Sequence, residues 1–284
     1  QSTGKNSYLT HVAYYDGGIR KKEVAEQVII SEMKHALESE QFQVYLQPKF
    51  DIATRKMAGA EALVRWIHPE KGFMSPGDFI PVFEKNGFIT ELDMFVWERT
   101  CALLSEWLHK YGKCVPVSVN VSRKDIYKPH LTQYFKDLTA KYDIEPKYLH
   151  LEITESAYTE NSEQLIAVIS SLKEAGFEIE MDDFGSGYSS LNMLSELPID
   201  ILKLDMKFIN NRGDKEKNQG IMRAIITMAK EMELRIVAEG VEEETQVNML
   251  HGMGCDLAQG YFFAKPMPSD DFRELLVTSE LAVD

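Results

Sequence analysis

Eight short stretches dominated by apolar residues run along the chain: 43–50 (QVYLQPKF), 57–64 (MAGAEALV), 115–121 (VPVSVNV), 148–154 (YLHLEIT), 177–183 (FEIEMDD), 199–205 (IDILKLD), 234–239 (LRIVAE) and 256–262 (DLAQGYF). Their length and composition predict β-strands. Between most of them, apolar residues recur at helical spacing, which predicts helices over 92–110, 161–175 and 217–232, with Gly176 as the stop of the second. Eight strands with mostly helical crossovers predict an α/β fold, a TIM-like (β/α)8 barrel rather than a sandwich. The first connection, Asp51 to Lys56, is too short for a crossover helix, so the first strand should pair antiparallel with the second.

From the second strand onward, each predicted strand carries a polar group near its C-terminal end: Glu61, Asn120, Glu152, Asp182 with Asp183, Lys203 with Asp205, Glu239, and Gln259. In a β/α barrel those ends converge on the face where active sites lie. Alternation sharpens the pattern. His150, Glu152 and Thr154 share one face of their strand, and Glu178, Glu180 and Asp182 share one face of theirs. A solvated edge strand shows the same pattern, but seven strands aiming polar groups at one place do not fit that account.

Composition narrows the chemistry. The 284 residues include 31 Lys+Arg against 45 Asp+Glu, a formal net charge of −14, which disfavours a surface for polymeric nucleic acid. An anionic ligand must then be met by local cations. Cys101, Cys114 and Cys255 form no C-x-x-C pair and cannot complete a disulfide framework, which suggests a reducing compartment. No apolar run is long enough for a membrane span, and no signal peptide is evident. The chain starts at Gln1, so the expectation is a fragment or processed product, cytoplasmic here, with an upstream membrane anchor left open.

The segment "EMDDFGSGYSSL" (180–191) sets two aspartates side by side and follows them with glycines. Taken alone it is consistent with a turn or with a cation site. The wider set of Glu, Asp and Asn supplies hard oxygen ligands, with no His or Cys at zinc-like spacing, which favours Mg²⁺ or Mn²⁺. Asp182 and Asp183 could serve two ions, typically ~3.5–4 Å apart, the arrangement that clamps the attacking and leaving oxygens of phosphoryl displacement. Lys203 would orient a water or stabilise charge, or simply pair with a strand-end acid. Competing motifs lack context. Asp183-Phe184-Gly185 has no H-R-D loop before it, and His150-Leu151-Glu152 has no P-C-x-x-C partner. A glycosidase built on Glu152 and Glu239 would leave Asn120, the Asp pair and Lys203 without a role.

Glu61-Ala62-Leu63-Val64-Arg65-Trp66 resembles the signature of EAL-domain phosphodiesterases, which hydrolyse cyclic di-GMP. The resemblance continues through YLQPKFD (45–51), SPGDFIPVFEKNG (75–87), SVNVS (118–122), LEITES (151–156), MDDFGSGYSSL (181–191), ILKLD (201–205), VAEGVE (237–242) and AQGYFFAKP (258–266). It implies a β/α barrel with an antiparallel first strand, two Mg²⁺ or Mn²⁺ ions, and cleavage to linear pGpG. It further implies that Glu61, Asn120, Glu152 and Asp182 hold the first ion, that Asp182 and Asp183 reach the second, and that Glu239 completes the metal and water site. Lys203 would position or deprotonate the nucleophilic water, and Arg65, Gln47, Leu63 and Gln259 would contact substrate, with Arg65 on a phosphate. Glu155 would hold the loop at 184–190 in its working conformation, and a homodimer is implied. A receptor that binds cyclic di-GMP without turnover is the alternative in this family. Trp66 and Phe184 read as packing residues, Glu242 as ordinary charge near a helix N-terminus, and Glu180 has no role assigned from sequence.

The segment GKNSYLTHVAYYD (4–16) resembles the end of a GGDEF domain, and 19–40 reads as a helix joining it to the barrel. The implied organisation is a tail at 1–18, a linker helix at 19–40 and the barrel at 41–284, downstream of a GGDEF or sensor domain.

Overall fold

In the computed structural model, residues 17–158, 161–184, 191–206 and 215–282 are described. Among them one sheet contains β1 (Phe42–Asp51), β2 (Met57–His68), β3 (Gly72–Met74), β4 (Val117–Asn120), β5 (Leu149–Thr154), β6 (Ile179–Phe184), β7 (Ile201–Asp205), β8 (Arg235–Glu239), β9 (Leu257–Gln259) and β10 (Met267–Pro268). Pairing runs from β1 through β2, β4, β5, β6, β7, β8 and β9, and β9 returns to β1. Eight strands therefore close a barrel, with β3 and β10 as short additions. β2, β4, β5, β6, β7, β8 and β9 pair in parallel around it, whereas β1 is antiparallel to both neighbours in the barrel.

The short connection between β1 and β2 explains the antiparallel pair. Asp51 Oδ1 accepts from Thr54 N at 2.6 Å and from Thr54 Oγ1 at 2.7 Å, while Arg55 takes φ +61°, so the chain reverses within a few residues. The alternation legible in sequence sorts the other strands. Outward residues such as Val117, Val119, Leu149, Leu151, Ile179, Leu202, Leu204 and Ile236 are buried beneath the helices in one continuous core. Helices over Ile89–Glu106, Ser162–Glu174 and Lys215–Glu231 match the predicted ones, and Gly176 at φ +92° follows the second as its stop. The helix predicted to run to 110 instead changes to a π-helical turn at Trp107–Tyr111, ending at Gly112 with φ +64°.

β2 continues past the barrel wall to His68, and a second core forms there. Trp66 and Phe42 pack with Phe79, Phe83 and Phe88, and Ile29 and Ala36 bring in the helix Gly17–Glu38. Trp66 Nε1 donates to Gln41 Oε1, just past the helix, at 2.9 Å; Glu32 Oε2 on the helix lies 3.4 Å from His68 Nε2 at the strand's end and accepts from Lys71 Nζ in the following turn at 2.6 Å. Trp66 and Phe184 are both buried, as packing residues should be. Residues 1–16 lie outside the described residues.

The last predicted strand, 256–262, is shorter than expected and ends at Gln259. At Gly260 the chain crosses the backbone of Val241, Phe262 N donates to Val241 O at 2.9 Å, and the strand cannot continue.

Candidate active site

Barrels of this kind ordinarily fill their interiors with branched apolar side chains. Here the interior is polar in two layers. In the inner layer Lys49 Nζ pairs with Glu180 Oε2 at 2.5 Å and donates to Ser118 Oγ at 3.0 Å, and His150 Nδ1 lies 2.8 Å from Glu180 Oε1. All four residues are buried. Burial works against the Glu180 carboxylate, but the Lys49 ammonium, then His150, outweigh it and hold Glu180 below the usual glutamate range. Glu180 thus has a defined role as counter-ion of a buried lysine. Lys49 was missed in sequence, although its spacing from Gln47 on β1 places both on one face.

The second layer lies at the C-terminal ends of the parallel strands. Lys203 on β7, 1% exposed, is its centre. Its Nζ contacts Glu152 Oε1, lies 2.6 Å from Glu239 Oε1, 3.4 Å from Asp182 Oδ1 and 3.5 Å from Glu61 Oε2. Gln259 Nε2 donates to Glu61 Oε2 at 2.6 Å and to Gln47 Oε1 at 3.1 Å. Six strands contribute to this cluster besides β1, so the predicted convergence is observed for Glu61, Glu152, Asp182, Lys203, Glu239 and Gln259, with Gln47 joining from β1.

The charges are strongly coupled. Burial disfavours the Lys203 ammonium, but the carboxylates, Glu152 first, outweigh it and hold its pKa well above the ordinary lysine value. Burial, followed by the neighbouring Glu61, raises Glu152 well above the ordinary range against the pull of Lys203. Burial, with Glu61 and Asp182 beside it, also pushes Glu239 up to about 7 although Lys203 acts the other way. One ammonium among four carboxylates leaves an excess of negative charge.

Among the described residues, the buried oxygens Glu152 Oε2 and Gln259 Oε1 have no hydrogen-bond partner, and Asp182 Oδ1 has only the ion pair with Lys203 at 3.4 Å. An orphaned buried acceptor is costly, and hard oxygen donors with spare lone pairs and excess negative charge fit a divalent cation such as Mg²⁺ or Mn²⁺. Among the described residues no three His, Cys, Asp or Glu side chains converge on one ligand point; the carboxylates of this layer gather around Lys203 Nζ.

A cavity of about 320 Å³ opens over this layer, lined by Glu61, Asp182, Lys203, Glu239, Gln259 and Tyr261 among others. A second cavity of about 300 Å³ shares Leu63 with it and has Arg65 and Asn120 in its wall. Arg65, two residues beyond Leu63 on the same strand face, is half-buried. Its Nη1 donates to Val64 O at 2.9 Å and its guanidinium lies 5.8 Å from the ring centroid of Tyr45. Asn120 is exposed, on the rim rather than in the buried cluster, but it is the register partner of Glu152 on the neighbouring strand. Asp183 continues β6, and its side chain lies outside the described residues. Glu155 is buried in a 3-10 turn at Glu155–Ala157, while residues 185–190, the loop it was expected to hold, lie outside the description. Glu242 is exposed, with its backbone N–H donating to Gln246 Oε1 at 2.7 Å at the start of the helix Glu244–Met253.

Comparison with known proteins places this geometry in context. A family model described as EAL domain matches residues 30–266. A signalling protein of Bacillus subtilis, YkoW, is 36% identical over 264 residues, covering 93% of this chain and 33% of its own length. The cyclic di-GMP phosphodiesterase NbdA of Pseudomonas aeruginosa is 37% identical over 246 residues, covering 86% of this chain and 31% of its own. Among solved structures, the phosphodiesterase PaMucR in complex with c-di-GMP superposes with a TM-score of 0.81 at 34% identity, covering 86% of this chain and 99% of that one. The chain spans about a third of the length of these two curated relatives.

Proposed function

Because the chain belongs to the EAL-domain family, we propose that it hydrolyses cyclic di-GMP to linear pGpG with two divalent cations, Mg²⁺ or Mn²⁺. The observation that carries this reading is the Lys203 ammonium among Glu61, Glu152, Asp182 and Glu239 at one barrel mouth, with Glu152 Oε2 lacking a hydrogen-bond partner among the described residues. Relatives named as cyclic di-GMP phosphodiesterases support the same substrate.

In this reading Glu61, Asn120, Glu152 and Asp182 hold one ion, Asp182 and Asp183 reach the other, and Glu239 completes the site. When bound, the cations supply charge stabilisation for the phosphoryl oxygens and a more acidic water. Lys203 orients the attacking oxygen from the buried side through its ammonium protons. Arg65 takes a phosphate oxygen pair with its fork, held against Tyr45, and Gln47, Leu63 and Gln259 shape the floor beneath the substrate. Glu155 orders the loop that follows the Asp pair. The chain acts as a homodimer, below a GGDEF or sensor domain carried by the rest of the protein, and the helix at 17–38 is the joint between them.

Among the described residues no helix is long and apolar enough to cross a membrane.

Incubation of the purified chain with cyclic di-GMP and Mg²⁺ or Mn²⁺, followed by chromatography, should yield pGpG, and EDTA should abolish it. Binding of intact cyclic di-GMP with no product in either metal would instead make the chain a receptor.

A further inference from the structure

The helix Ile89–Glu106 grips the end of β4 at two points. Trp97 Nε1 donates to Asn120 O at 2.9 Å, and Asp93 Oδ2 accepts from Ser122 N at 3.2 Å. Asp93 and Trp97 are four apart on one helix face, and both are buried, at 8% and 2% exposure. Between these anchors, Val121 N donates to Glu152 O at 2.8 Å, so three successive residues are tied, one of them to the backbone of a neighbouring site residue. Asp125 fastens the turn from the other side. It accepts from Ser122 Oγ at 2.6 Å and Thr90 Oγ1 at 2.8 Å, and pairs with Lys128 Nζ at 2.7 Å.

A buried aspartate within a helix is unfavourable unless its hydrogen bonds are used, and an apolar residue would fill the same space without that cost. Burial, then the charge of Asp125 and a hydrogen bond with its side chain, raises Asp93 well above the ordinary carboxylate range against the pull of Ser122. The Asn120 side chain makes no hydrogen bond among the described residues, so the backbone that bears it is what sets its origin and the rotamers open to its carboxamide.

We propose that Asp93 and Trp97 are positioning residues that aim the Asn120 carboxamide at the cation site. This rests on the metal-dependent reading above and adds to it two residues that touch neither cation nor substrate. Partners that orient a ligand typically change metal affinity about 10–100-fold when lost.

The test is a Mn²⁺ titration followed by the paramagnetic signal of free Mn²⁺, with thermal melting and cyclic di-GMP turnover measured alongside. Trp97→Phe keeps a ring and removes the donor; Asp93→Leu removes the acceptor; Asp93→Asn keeps one. Trp97→Phe and Asp93→Leu should each weaken Mn²⁺ binding about tenfold or more while the proteins stay folded. Asp93→Asn should stay close to the parent. In an Asn120→Ala background Trp97→Phe should cost little further, because the group it positions is gone. Parental Mn²⁺ affinity in folded Trp97→Phe and Asp93→Leu, or an undiminished loss in the Asn120→Ala background, overturns the proposal. A parent that binds Mn²⁺ but yields no pGpG would remove the phosphodiesterase reading and leave this one standing. A parent that binds no Mn²⁺ would remove both.

Discussion

Gly260→Ala should loosen the mouth of the barrel through one steric contact. A Cβ at this position would lie 2.1 Å from Val241 O, 2.3 Å from Val241 N and 2.7 Å from Val241 C. Carbon contacts ordinarily settle near 3.5 Å or more, so the two backbone segments must part by about an ångström. The obstacle is main chain, which cannot swing aside like a side chain. Two hydrogen bonds span the crossing, Val241 N to Gln259 O at 3.1 Å and Phe262 N to Val241 O at 2.9 Å, and both would be lost at that separation. At about 0.5–1.5 kcal/mol each, the loss is about 1–3 kcal/mol. That corresponds to roughly 2–4 °C in melting temperature for each kcal/mol in a chain somewhat smaller than this. Gly260 directly follows Gln259, and Val241 lies two residues beyond Glu239, so the displacement reaches both site residues. A misplacement of about 1 Å can cost about 100-fold in rate. Differential scanning calorimetry and chromatographic assay of pGpG measure the two effects. Gly252→Ala is the matched control: it lies in the helix Glu244–Met253 with nothing within 4 Å of an added Cβ. It should be neutral or stabilising by about 0.5–1 kcal/mol. A Gly260→Ala protein that melts and turns over like the parent would refute the steric argument.

Glu61→Ala removes an oxygen that accepts from Gln259 and faces Lys203; hydrolysis should fall more than about 100-fold and Mn²⁺ affinity with it, while calorimetry shows a folded protein, and normal turnover would dismiss the ligand assignment. Lys49→Met strands the Glu180 carboxylate inside the barrel and should destabilise by about 3–5 kcal/mol, whereas Lys49→Met with Glu180→Leu should regain most of it in urea unfolding; a neutral single variant would mean the pair is dispensable. The same pair has a pH signature. Glu180 is held below its ordinary value in the folded state, so its stabilisation is present above the unfolded pKa of about 4.3 and is lost as pH falls toward the folded value. The parent should therefore lose stability below that pH more steeply than the double variant, and parallel urea midpoints across the acid range would count against the pairing.

Local pattern carried much of this protein. Period-two alternation depends only on neighbours along one strand, so the inward faces of β5 and β6 were legible, as was the tight Asp51–Lys56 reversal that makes β1 antiparallel. The succession of strands and helices implied the barrel, and the family motifs supplied names for its polar residues. Contacts between distant positions were not legible. Nothing near Lys49 reveals that its counter-ion stands 131 positions away, or near Glu61 that Gln259 lies 198 positions on. The early end of β9 was hidden for the same reason, since the obstacle is the backbone of Val241 on another loop. Trp97 read only as an apolar helix residue, because its indole N–H gains a meaning when β4 is laid against that helix. Sequence determined which residues face inward, because side-chain direction is a local property of the backbone. Only the closed barrel decided which inward charges meet, because electrostatic pairing and steric exclusion act through space between segments that the chain order keeps apart.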